Sequence, residues 1–245
     1  MNQIAKQQLK EQASDAIIVC WCDNGLTDGK FTEGLMYSAL TSDVPIKSAM
    51  RIQGNQIGRQ RQVAFDYWLD HTDFNWILWV DSDIELTNDA LRLLWNEVDP
   101  TTKPVISGVY FVSKENEQSL MTPYPAIFSW TDNPNQIGYV HPLPQNALVK
   151  IGAAGFGFLV MHRSVGVKMR EFHGSRPFFN ETGVGENFVS EDINFFRAMG
   201  EAGIPLYAHT GATVRHYKRF ALDLEYYKLF WNAQDANPKI QKAKA

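Results

Sequence analysis

The sequence has little of several things. Only two of its 245 residues are cysteine, Cys20 and Cys22, and they lie two apart. On a strand such residues point to the same face, which is a poor disulfide geometry, and two thiols alone make no zinc site. They read as reduced packing residues beside a pocket. There is no excess of positive charge either: 23 Lys and Arg against 27 Asp and Glu leave a formal net charge of −4. Such a surface has no field suited to gripping nucleic acid or an anionic membrane, and Lys239, Lys242 and Lys244 are too few to change that. No apolar run reaches the roughly 20 residues a bilayer-crossing helix needs. The opening MNQIAKQQLKEQASD lacks the apolar centre of a signal peptide. A soluble, cytoplasmic protein with no transmembrane segment and no nucleic-acid partner is expected. Internal repeats, low-complexity segments and obvious linkers are also missing.

What is there reads as a packed α/β protein. The chain is 44% hydrophobic and 20% charged, and its 245 residues suit one large domain better than two small ones. Aromatics make up 13%, with seven Trp, side chains that fill cores and also stack on sugars and bases. The expected boundaries are a flexible arm over 1–14, one domain over 15–220 and a helical or tail extension over 221–245.

AIIVCW (Ala16–Trp21) reads as a buried strand that breaks at Asp23-Asn24-Gly25. KFTEGLMYSAL (Lys30–Leu40) reads as a helix with Phe31, Leu35, Met36 and Ala39 on one stripe. A strand over Ile46–Ile52, an amphipathic helix over Ile57–Asp70 and a strand over Trp76–Val80 follow. Thr87 is placed to cap the helix NDALRLLWNEV. Strands alternating with helices predict a parallel sheet with helices on both faces. In the second half, VISGVYF, AIFSW and AAGFGFLVMH read as strands, with one clear helix, SEDINFFRAMGEAG, behind Ser190 as N-cap.

The stretch Asn75–Leu86 reads NWILWVDSDIEL, an apolar strand running into Asp81 and Asp83. Open α/β sheets bind ligands beyond the carboxyl ends of their strands. Two carboxylates one residue apart converge on one ion when the backbone turns between them, and such oxygens suit Mg²⁺ or Mn²⁺. Taken alone, the pair is equally at home in an Asx-rich turn.

Its neighbours add a resemblance. WVDSDIEL resembles the D-x-D strand end of GT-A-type nucleotide-sugar glycosyltransferases, especially family-2-like enzymes. GRQRQVAFDYWLD resembles their Arg-bearing helix before that strand, and PVISGVYF (Pro104–Phe111) the strand after the next helix. IGAAGFGFLVMHRSV (Ile151–Val165) resembles their small-residue acceptor-side segment. SEDINFFRAMGEAGIPLYAHTGATVRHYK (Ser190–Lys218) resembles their Glu-Asp helix and later histidine. The likeness runs from about Ala16 to Lys218 in the family's order. It implies a GT-A fold: a Rossmann-like nucleotide-binding sheet with helices on both faces and a mixed second half. It also implies transfer of a sugar from a UDP- or GDP-linked donor to a hydroxyl of a carbohydrate or other acceptor, with Mn²⁺ or Mg²⁺ as cofactor and inversion of configuration.

The same resemblance assigns roles. Asp83 holds the metal, Asp81 the metal or donor ribose, and Ser82 adds a donor contact. His216 is the third metal ligand, with His209 competing. Asp192 is the general base, with Glu191 beside it; the structural alternative is that both simply favour the dipole of a helix first turn. Arg61 contacts the donor while Arg59 faces solvent. Gln62 stands where many relatives have Asn. Trp21, Cys22 and Asp23 border the base, and Gln53 ends the second strand where relatives often carry an acid. Trp130 and Phe178-Phe179 are read as an acceptor platform or core, and Glu171–Val189 as a lid. A nucleotidyltransferase of similar sheet, or a protein that binds nucleotide or sugar without turnover, are the alternatives.

Overall fold

A computed structural model of the chain describes residues 16–115, 121–132, 136–183, 188–218, 224 and 228. The expected arm and nearly all of the expected extension lie outside them. In chain order, the first half runs β1 (Ile17–Asp23), α1 (Gly29–Thr41), β2 (Ile46–Gln53), α2 (Ile57–His71), β3 (Trp76–Val80), β4 (Ile84–Glu85) and α3 (Asn88–Trp95). There follow β5 (Val105–Val109), β6 (Phe111–Glu115), β7 (Met121–Pro125), β8 (Ile127–Trp130), β9 (Ile137–Tyr139), β10 (Leu148–Ile151) and β11 (Ala153–Ala154). The remainder is β12 (Phe158–His162), α4 (Arg163–His173), α5 (Glu191–Glu201), β13 (Leu206–Thr213) and β14 (Arg215–His216).

Seven strands form the central sheet in the order β10-β13-β5-β12-β3-β1-β2. β1 is parallel to both β2 and β3, as the alternating pattern predicts. β12 then enters antiparallel between β3 and β5, which makes the second half mixed. All five residues of β3 are buried because both faces of the strand are covered. Ile77 and Trp79 join Phe65, Trp68, Met169, Phe195 and Phe196 on one face. Trp76, Leu78 and Val80 join Phe31, Leu91 and Leu94 on the other. Burying each such side chain contributes about 1.5–3 kcal/mol. The α/β class, the helices on both faces and the mixed second half stand as expected. Among the described residues no helix is long and apolar enough to cross a membrane.

Three local expectations are corrected. The inner stripe of α1 is Phe31, Gly34 and Ser38, while Met36 is 59% exposed. Gly34 lies so near β4 that a Cβ there would come 2.7 Å from the Leu86 carbonyl oxygen, so the helix seats on its small residues. The run AAGFGFLVMH is not one strand. Ala153–Ala154 pairs with β8 in a small second sheet, and only Phe158–His162 enters the main one. Finally, α4 arises where no helix was expected. His162, an unusual cap, accepts from the Ser164 amide; Val165, Gly166 and Met169 face inward; Gly174 ends the helix at φ 75°.

A pair of Gly→Ala changes tests how α1 is seated. Ala favours a helix interior over Gly by about 0.5–1 kcal/mol, and exposed Gly200 has nothing within 4 Å of its Cβ direction. Gly200→Ala should therefore raise the urea midpoint. Gly34→Ala should lower stability by about 1–3 kcal/mol, because backbone rather than a movable side chain blocks it. Equal effects at both positions would show that α1 does not rest on the Leu86 backbone.

Candidate functional site

The carboxyl ends of β1, β3 and β5 meet the start of α5 and the short strand β14. The chain turns straight after Val80: the Asp81 amide donates to Gly157 O at 3.0 Å, and the Ile84 amide donates to Asp81 O. β4 then pairs antiparallel with β14, which sets His216 opposite Ile84. The Tyr217 amide donates to Asp83 O at 2.8 Å, closing the clamp.

That clamp brings His216 to Asp83. His216 Nδ1 lies 2.8 Å from Phe111 O, and a carbonyl only accepts, so in the neutral ring Nδ1 carries the proton. Nε2 is buried and lies 3.2 Å from Asp83 Oδ2, the distance of an ion pair when the ring is protonated. Lys218 Nζ approaches the same oxygen at 2.8 Å. Burial alone would raise the Asp83 carboxyl; the contacts with His216 and Lys218 outweigh it and hold the group below its ordinary range. His209, the competing histidine, is buried on β13 and among the described residues accepts from the Gly211 amide of its own strand.

A second cluster adjoins the first. Arg61 is buried, with Nη2 at 2.9 Å from Asp81 Oδ1 and Nη1 at 2.5 Å from Glu191 Oε1. Burial would lower its affinity for a proton, but Asp81, Glu191 and Asp192 together raise it. Glu191 is pushed up by burial, against the pull of Arg61. Asp192 is engaged differently: its Oδ1 accepts from the Ser190 hydroxyl and from the Ile193 amide. Ser190 occupies the N-cap position, yet its hydroxyl donates to Asp192 instead of accepting from a helix amide.

Tyr110 was not singled out in the sequence and belongs here. It is buried at the end of β5, its hydroxyl accepting from the Gly157 amide at 3.2 Å. Burial, then the charges of Asp81 and Asp192, push its phenol well above the ordinary range. Its ring meets His216 edge to face at 5.1 Å. The small residues of IGAAGFG make room for it: a Cβ on Gly157 would sit 2.7 Å from the Tyr110 ring and 2.9 Å from Asp81 Oδ2. The available sequence signal was the polar tip after VISGV, matching the way Asp81 follows WILWV.

On the β1 side, Asp23 is enclosed. Arg51 grips both of its oxygens at 2.6 and 2.7 Å, and Trp21 Nε1 and the Gly25 amide also donate to it. Arg51 above all holds its carboxyl below the ordinary range. Gln60, also unforeseen, donates to Asp23 O and Ile52 O, tying the ends of β1 and β2. Gln53 is exposed beside Gly25. Cys22 and Cys20 are free and buried side by side, as packing residues. Gln62 accepts from the Phe178 and Phe179 amides and donates to Asp66, so it anchors a loop. Phe178 and Phe179 are buried around Phe65 and Phe195, which makes them core. Trp130 packs under Arg197, and Arg59 is exposed. Of the segment expected as a lid, the first residues belong to α4, Thr182 pairs with Val189, and 184–187 lie outside the described residues.

A cavity of about 330 Å³ opens beside Asp83, lined by Asn24, Thr27, Asp28, Ser82, Asp83 and Lys218 among others. A larger one, about 720 Å³, lies at the other end of the sheet near Asn75, Pro104 and His162. Its arginine, Arg163, is engaged by the carbonyls of Trp68, Leu69, Thr72 and Phe74, and it holds no acid pair. The smaller cavity is therefore the candidate site. A carboxylate oxygen beside a buried imidazole nitrogen, which carries a lone pair in the neutral ring, suits a divalent cation, Mn²⁺ better than Mg²⁺. Among the described residues no group of three His, Cys, Asp or Glu forms a complete cage. Asp83 and His216 thus make an open two-donor edge, with Asp81 held back by Arg61.

No protein-family profile matches the sequence, and no curated protein does. Among solved structures the chain is similar to A197 from STIV, with a TM-score of 0.53 and 15% identity over 83% of this chain and 86% of that one. It is also similar to GalNAc-T7, crystallised with UDP, GalNAc and Mn²⁺, with a TM-score of 0.48 and 10% identity over 84% of this chain. The chain spans 43% of that protein. The first likeness shows a shared fold.

Arg61→Met should cost about 3–5 kcal/mol at pH 7, because two carboxylates lose their shared cation in a buried setting. Glu191, already pushed up by burial, would rise further without Arg61, so the penalty is present above its folded-state pKa and relieved as pH falls. Urea unfolding at pH 7 and pH 4.5 checks this; a penalty independent of pH would mean that packing, not charge, is what Arg61 supplies.

Proposed function

We propose that the protein is a metal-dependent glycosyltransferase that moves a sugar from a nucleoside-diphosphate sugar to an acceptor hydroxyl with inversion. The observation that carries this reading is the Asp83–His216 pair, 3.2 Å apart, standing beside the Asp81–Arg61–Glu191 cluster at one end of the sheet. A divalent ion bound there would neutralise charge developing on a diphosphate leaving group. Asp83 and His216 would hold it, with Asp81 near by.

Asp192 acts as general base. Its Oδ1 is fixed by a hydroxyl and an amide, while Oδ2 makes no hydrogen bond among the described residues. It takes the proton of the acceptor hydroxyl as that oxygen attacks the anomeric carbon and the sugar–phosphate bond breaks. Glu191 is the poorer base because Arg61 occupies it. Arg61 positions Asp81 and Glu191, and Tyr110 walls the floor of the site. The donor, UDP- or GDP-linked, lies over the ends of β1 and β3 beside Ser82 and Asp83.

Asp192→Asn should lower turnover roughly 100- to 10,000-fold while leaving nucleotide-dependent thermal stabilisation in place. Asp83→Asn should abolish the Mn²⁺-dependent part of that stabilisation with little change in the ligand-free melting temperature. The measurements are donor hydrolysis and transfer with Mn²⁺, and a thermal-shift screen of UDP, GDP and their sugars. Calorimetric nucleotide affinity with no nucleoside diphosphate released would identify a binder without turnover and sink the enzymatic reading.

A further inference from the structure

We infer that Lys218 is a resident counterion for Asp83, and that a divalent cation must displace it to bind. The inference rests on the reading of Asp83 and His216 as cation ligands, and deepens it. Asp83 Oδ2 faces two groups at once: His216 Nε2 at 3.2 Å and Lys218 Nζ at 2.8 Å. A cation held by Asp83 and His216 would compete for the carboxylate that the lysine ammonium now uses, and the two positive charges would repel at close range.

The neighbours of Lys218 make this a competition and not a fixed ion pair. The preceding residues are pinned elsewhere: Arg215 and Tyr217 both bond Glu85 Oε2, and the Tyr217 amide holds Asp83 O. Lys218 itself is half exposed and its ammonium contacts Asp83 alone among the described residues. An exposed lysine pair of this kind is weakly held and easily given up. Because Lys218 also lines the 330 Å³ cavity with Thr27, Asp28 and Ser82, a displaced ammonium stays at its mouth. There it is placed to meet an anionic ligand. The lysine therefore weakens binding of a bare cation, and its removal should strengthen it.

The test is Mn²⁺ binding without nucleotide, by calorimetry and by electron paramagnetic resonance of free Mn²⁺, on the whole chain. Wild type, Lys218→Gln, Lys218→Arg and Asp83→Asn are compared, with circular dichroism confirming that each is folded. Lys218→Gln should bind Mn²⁺ roughly fivefold tighter or more, Lys218→Arg should stay near wild type, and Asp83→Asn should lose binding. If Lys218→Gln binds no tighter while Asp83→Asn loses the ion, the displacement is wrong and the cation site stands. If Asp83→Asn binds like wild type, or neither wild type nor Lys218→Gln binds Mn²⁺, both the displacement and the cation site fall.

Discussion

The arrangement depends on one buried guanidinium. Arg61 comes from α2, Asp81 from the tip of β3 and Glu191 from the first turn of α5, so one side chain joins three elements. Removing either acid from such a pair is costly because the remaining charge stays out of water. The bridge therefore fixes where α5 begins relative to the β3 tip. That placement in turn brings Asp192, the next residue, near enough for its charge to act on Arg61 and Tyr110.

Around this bridge, the carboxylates at the strand ends are answered by cations of the chain itself. Asp23 has Arg51, Asp81 and Glu191 share Arg61, and Asp83 has Lys218. Asp192 differs: its contacts are a hydroxyl and an amide, both neutral, and among the described residues no cation lies at salt-bridge distance. A general base needs an ionised carboxylate that is oriented without being neutralised. Adjacent residues in the sequence, Glu191 and Asp192, thus take different parts. One is buried in an ion pair and the other is the residue proposed as the base.

Much of this was legible in the residues. The apolar runs before Asp23, Asp81 and Tyr110 are strands, and ligands gather where such strands end. The helix over 57–71 and the Thr87 cap follow from periodicity and capping chemistry. What failed had identifiable causes. The inner stripe of α1 was misassigned because Gly34 and Ser38 carry no hydrophobic signal, though small size is what lets the helix sit on the Leu86 backbone. The helix α4 was missed because histidine is an uncommon cap. Gln62 looked like a donor-side position and Gln60 carried no signal, but each satisfies backbone groups that only the folded loops bring near.

The sequence by itself determined the α/β class, the strand ends that carry acids, and the short catalogue of polar residues available at them. Those follow from local rules of periodicity, burial and turn chemistry that act over a few residues. Which acid meets which base is set by contacts made in the folded chain. Residues 61 and 191, or 83 and 218, are more than a hundred positions apart. Their pairing is set by the antiparallel insertion of β12 and the β4–β14 clamp, neither of which leaves a local mark on the chain.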